Sequence, residues 1–119
     1  MIALGGAIGA IARYQVAAAI QARIPAGFPW GTFVVNMTGC FMMGVAMTLL
    51  TDRLVAHPNW RYLIPIGFIG AYTTFSTFEL ETFRAVTEGA LLTGAANVAG
   101  SVIAGYAALW LGVVLTRAI

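Results

Sequence analysis

The sequence predicts an all-α membrane protein of four transmembrane helices, the third of them broken, pairing as an antiparallel homodimer. Three observations carry this expectation. Hydrophobic residues fill 61% of the 119 positions and charged residues only 8%, with a mean hydropathy of +0.90, which places the chain outside ordinary soluble domains. The apolar stretches divide into four crossings of a single domain, residues 1–119. The run from Gly67 to Phe78 then mixes glycines, which loosen the backbone, with clustered hydroxyls and phenylalanines, a mixture that an uninterrupted helix does not need. Thr73, Thr74, Ser76 and Thr77 can satisfy backbone groups released where a helix breaks. Such breaks persist at membrane depth only inside protein or beside a wet cavity, and in transporters and channels they are where ions bind.

The first span, about Ile2 to Ile24, carries Gly5 and Gly9 as a GxxxG pair that lets another helix approach closely, and Arg13 at mid-depth. The segment Pro25 to Pro29 ends it, with Trp30 at an interface position. A second span, about Gly31 to Leu50, includes Asn36 and Thr38 among apolar residues, with Asp52 and Arg53 at its exit. The polar loop Thr51 to Asn59 holds the single histidine, His57. The third span, about Trp60 to Glu88, contains the broken run followed by Glu79, Glu81 and Arg84. The fourth runs uncharged from about Gly89 to Thr116; its 28 residues exceed the ~20 needed to cross, so it is expected to tilt or protrude.

The charges restrict the function. The net charge of +2 comes from arginines scattered along the chain with no basic patch, so no nucleic-acid partner is expected. A single cysteine, Cys40, excludes an intrachain disulfide, and the N-terminus lacks the basic region of a cleaved signal peptide. If four helices alternate, Arg53, Arg61 and Arg117 fall on one side and Arg23 and Arg84 on the other. That near balance gives insertion little to orient by, and a chain inserting both ways can pair antiparallel with itself. No nucleophile with its base, poised carboxylate pair or phosphate loop is present, so the chain is not expected to be an enzyme.

Several residues are candidates for handling an ion, each with a plainer alternative. The Asn36 amide offers uncharged N–H donors suited to a permeating anion, or else bonds two helices together. Phe75 and Phe78, three apart, share a helical face and present positive ring edges to an anion, or simply pack. Arg13 must face protein or water, either drawing anions into a vestibule or pairing with Glu81. Asn97 and Ser101, four apart, extend a polar track or bond a neighbouring backbone.

The segments Gly5 to Tyr14, Gly31 to Gly39 and Gly67 to Phe78, in this order and at this chain length, resemble the signatures of Fluc-type fluoride channels. The resemblance covers nearly the whole chain; Ala71 stands where that family often has glycine. It implies a passive fluoride channel of the bacterial inner membrane that lowers cytoplasmic fluoride, with membrane lipid around an antiparallel homodimer containing two pores. By the same resemblance Asn36, Phe75, Phe78 and, less directly, Ser101 line the pore. The backbone carbonyls of Gly70 and Thr73 from both copies are implied to hold a structural sodium ion, for which uncharged oxygens are suitable ligands. Small multidrug-type exporters share the size and dual topology, but they need a carboxylate in the first helix to couple protons. This first span has no Asp or Glu.

Overall fold

In the computed structural model, residues 1–24, 27–53 and 57–119 are described. The expected stop at Pro25 and loop residues 54–56 lie outside them. Helix α1 spans Ile2–Arg23 and α2 spans Trp30–Thr48, continuing through a π-helical turn, Leu49–Arg53. Helix α3, Asn59–Arg61, widens directly into a π-helix over Tyr62–Ile69 and narrows again into α4, Gly70–Tyr72. Helix α5 is Phe75–Thr87 and α6 is Leu91–Ala118. Ile2–Arg23, Trp30–Asp52 and Leu91–Ala118 are each long and apolar enough to cross a membrane. Residues 59–72 and α5 form two shorter helical pieces on either side of Thr73 and Thr74.

The sequence itself accounts for the π-helix. Pro65 lies within it, and in an α-helix a proline ring collides with the carbonyl four residues earlier. The wider turn relieves that collision, and the Gly70 N–H accordingly reaches back five residues to the Pro65 carbonyl. Gly89, at φ 86°, ends the turn after α5 in the left-handed region that glycine adopts freely.

Small residues bring the helices together, as expected where lipid offers no hydrophobic drive between them. A side chain on Gly5 would strike Leu63 and Phe68 backbone, and one on Gly9 would strike the Phe68 carbonyl, so α1 lies directly against the π-helix. Gly67 completes this contact: a Cβ there would be 3.0 Å from the Ile2 carbonyl and 3.2 Å from Gly5 Cα. Its role is therefore close approach, whereas the sequence suggested a loosened backbone. Gly44 and Gly112 place α2 and α6 in backbone contact at Leu109 and Phe41. Val35, Ile69, Tyr72 and Phe78 form the buried apolar core, while Leu92, Ile103 and Leu111 remain exposed on the outside of α6. At about 1.5 Å per residue, the 28 residues of α6 reach about 42 Å, well beyond a hydrocarbon core of ~30 Å. One end of the bundle is tied by an Arg117–Asp52 ion pair of 3.1 Å and by the Arg61 guanidinium donating to Thr51. Asp52 thus links α6 to the end of α2 rather than only closing its own helix.

Candidate functional site

The break falls at Thr73 and Thr74, both extended, with φ/ψ of −81°/158° and −149°/120°. Asn36 holds it open from α2. Its side-chain Nδ2 donates to the Thr74 carbonyl at 3.0 Å, and the Thr74 N–H donates to its Oδ1 at 2.8 Å. One side-chain amide thereby satisfies both backbone groups of an extended residue, as a neighbouring strand would. Thr74 then caps α5, its Oγ1 accepting from the Thr77 N–H at 3.3 Å. Asn36 is thus an interhelical bond, and its second N–H is left over beside the break.

A cavity of about 320 Å³ opens next to this clamp, and Asn36, Phe75, Phe78 and Ser101 all line it with Thr73 and Thr74. The four pore candidates read from the sequence therefore meet in one place. The Phe75 and Phe78 rings are tilted at 41° with centroids 5.6 Å apart. They differ sharply in setting, since Phe78 is 6% exposed and Phe75 74%. Ser101 donates to Asn97 Oδ1 at 3.3 Å, buried Asn97 donates through Nδ2 to Thr82 Oγ1 at 3.0 Å, and Thr82 donates to the Phe78 carbonyl at 2.9 Å. This chain of bonds fastens α6 to α5 under the phenylalanines.

A second, more polar cavity of about 360 Å³ lies between α1, α2 and α5, with Arg13, Gln21, Thr32, Thr77 and Glu81 in its wall. Arg13 and Glu81 share it without forming an ion pair. Glu81 Oε1 accepts from the Thr32 hydroxyl at 2.8 Å, while Glu81 Oε2 and Arg13 Nε are buried with no partner. Buried polar groups without partners call for a ligand or water. Thr32 and Thr82 escaped the sequence reading, since a hydroxyl on an apolar helix ordinarily bonds its own backbone, as Thr38 does with the Val34 carbonyl.

The carbonyls of Gly70 and Thr73 fit a hard cation. In a continuous helix the Thr74 N–H would bond the Gly70 carbonyl, but it is turned to Asn36. The Thr77 N–H, the helical donor for Thr73, is turned to the Thr74 hydroxyl. Both carbonyls have thus lost the donors a helix would give them, and uncharged oxygens are the ligand class that sodium takes. Gly70 is moreover exposed on the surface of the chain.

The family described as "CrcB-like protein, Camphor Resistance (CrcB)" matches residues 1–113. The chain belongs to this family. It is 57% identical over 117 residues to the "Fluoride-specific ion channel FluC" of Solibacter usitatus, covering 98% of this chain and 96% of that one. The protein of the same name from Acidobacterium capsulatum is 51% identical over 114 residues, 96% and 91% of the two chains. That of Hahella chejuensis is 44% identical over 118 residues, 99% and 93%. Membership of the CrcB family and the three membrane-length helices identify a multi-pass bacterial membrane protein. The segment from Gly67 to Phe78, with its clamp and cavity, lies wholly within the match to the CrcB family.

Proposed function

We propose that the protein is a passive, fluoride-selective ion channel that lets fluoride leave the cell. The observation that carries the reading is the convergence of the Asn36 amide, the Phe75–Phe78 ring pair and Ser101 on one cavity beside the broken helix. Uncharged amide donors and positive ring edges replace part of an anion's hydration without holding it permanently. Arg13, in the neighbouring polar cavity, supplies positive potential on the approach. The names of the relatives supply the ion: fluoride.

In this reading residues 59–72 and α5 together make the fourth crossing, and two copies pair antiparallel to form two pores. The highly exposed Phe75 at the open cavity supports such pairing, because a second copy would cover it. Each copy would contribute its Gly70 and Thr73 carbonyls to a central structural sodium ion, whose charge satisfies oxygens that hydrocarbon cannot. A proton-coupled exporter would need a carboxylate in α1, which has none.

Fluoride efflux from liposomes loaded with potassium fluoride and containing the purified protein tests the reading, with chloride-loaded liposomes as control. Fast fluoride release with chloride retained is expected. Fluoride movement that strictly requires a proton gradient would overturn it.

A further inference from the structure

The described residues contain no cluster of three His, Cys, Asp or Glu side chains that could hold a metal ion. Sulfur is distributed differently. Met37, Cys40 and Met43 follow one another at three-residue steps along α2, which keeps them on adjoining turns of one side. All three line the cavity beside Asn36, Phe75 and Phe78, and all three are half-buried.

Helix α6 gathers two of these sulfurs. The point that a side chain on Gly105 would occupy lies 3.5 Å from Cys40 Sγ and 4.0 Å from Met37 Sδ. Glycine lets Met37 lie close against α6, its methyl 3.3 Å from that point, and brings the thiol and the thioether to the same stretch of α6. Among the described residues no hydrogen bond engages the Cys40 thiol. Methionine turns about three bonds, so Met37 and Met43 can bring their sulfurs toward Cys40 without moving the helix.

We propose that Met37, Cys40 and Met43 form a binding site for a soft monovalent metal cation, of the silver(I) and copper(I) class, in the wall of the cavity. Thiolate and thioether ligands suit soft ions of this class, whereas hard cations prefer oxygen. The binding step exchanges one cation for another: the Cys40 S–H bond breaks, a sulfur–metal bond forms, and the proton leaves to water with no change in oxidation state. The thioethers donate lone pairs only. One thiolate and one monovalent ion give a neutral complex, which the membrane interior tolerates, whereas a divalent ion would leave a buried positive charge. The bound ion sits in the same wall as Asn36 and Phe75 and obstructs what passes there.

Silver nitrate titrated by calorimetry into the purified protein in chloride-free buffer is expected to give one ion per chain. Binding should vanish in Cys40→Ala and weaken at least tenfold in the Met37→Leu/Met43→Leu double variant. In the unaltered chain, silver should protect Cys40 from maleimide alkylation, a measurement that does not depend on variants folding. Unchanged affinity in the double variant, silver binding by Cys40→Ala, or zinc binding as tight as silver would each overturn the site.

The placement in the pathway wall rests on the channel reading and has a separate readout. Silver should stop fluoride efflux from liposomes carrying the unaltered chain and should not slow Cys40→Ala relative to that variant's own silver-free rate; stoichiometric binding with undiminished flux would overturn that placement. A protein that moves no fluoride before silver is added would count against the channel reading alone, because the calorimetric result stands without flux.

Discussion

The Asn36 side chain and the Thr74 backbone form a two-bond pair, at 3.0 and 2.8 Å, that ties helix α2 to the centre of the break. Asn36→Asp replaces the donor facing the Thr74 carbonyl with an oxygen, so a bond becomes a repulsion. The variant is expected to lose about 1–3 kcal/mol of stability and nearly all fluoride flux. Asn36→Ser, with no opposed charge, should conduct more than Asp. Thermal melting and liposome efflux measure both; wild-type flux in the Asp variant would remove Asn36 from the pathway.

The unequal burial of the two phenylalanines separates conduction from packing. Phe75→Ile and Phe78→Ile both remove a ring edge worth about 1 kcal/mol to a partner, so each should slow efflux several-fold. Phe78→Ile should lower the melting temperature more than Phe75→Ile, since within one chain Phe78 is 6% exposed and Phe75 74%. Unchanged efflux in both variants, whatever their melting temperatures, would return the pair to ordinary packing.

Glycine substitutions in α1 should divide by face. Gly9→Ala drives a methyl group into the Phe68 carbonyl, whereas the nearest atom to a Cβ on Gly6 is the Gly67 carbonyl at 4.0 Å. Gly9→Ala is expected to cost about 1–3 kcal/mol, the usual penalty of overpacking. Gly6→Ala should melt like the unaltered protein. The comparison is read from detergent-solubilised samples by thermal denaturation, and similar melting of the two would argue against the close α1 contact.

Removal of sodium should weaken the protein if the diverted carbonyls of Gly70 and Thr73 hold that ion. Dialysis into a buffer with a large organic cation is expected to lower the melting temperature and the efflux rate together. Sodium should restore both more effectively than potassium or caesium. Identical melting curves with and without sodium would dismiss the ion.

The sequence made the break legible because hydroxyls crowd an apolar span, and Thr74 does cap the resumed helix. The bonds that fix the break at Thr73 and Thr74 were not legible, because they come from Asn36, 38 residues away. Gly67 read as a source of looseness because its α1 partners cannot be inferred from local pattern. Pro65 was visible, but periodicity does not distinguish a widened turn from a kink. Arg13 and Glu81 line one cavity without pairing. Whether they paired depended on Thr32, whose hydroxyl takes one Glu81 oxygen and leaves the other buried without a partner.

The bonds that run from Ser101 to Phe78 have a direction, and the Phe78 carbonyl sets it. That carbonyl can only accept, so the Thr82 hydroxyl gives it a proton and must receive one from the Asn97 amide nitrogen. The Asn97 oxygen therefore faces Ser101 and takes its proton. Ser101 is left presenting lone pairs to the cavity, the wrong polarity for meeting an anion directly. An anion can engage Ser101 through an intervening water, or after the hydroxyl swings away from Asn97 at a cost of about 1 kcal/mol. The carbonyl of a residue on α5 thus works as a latch on a hydroxyl of α6, setting the polarity that Ser101 presents to the cavity.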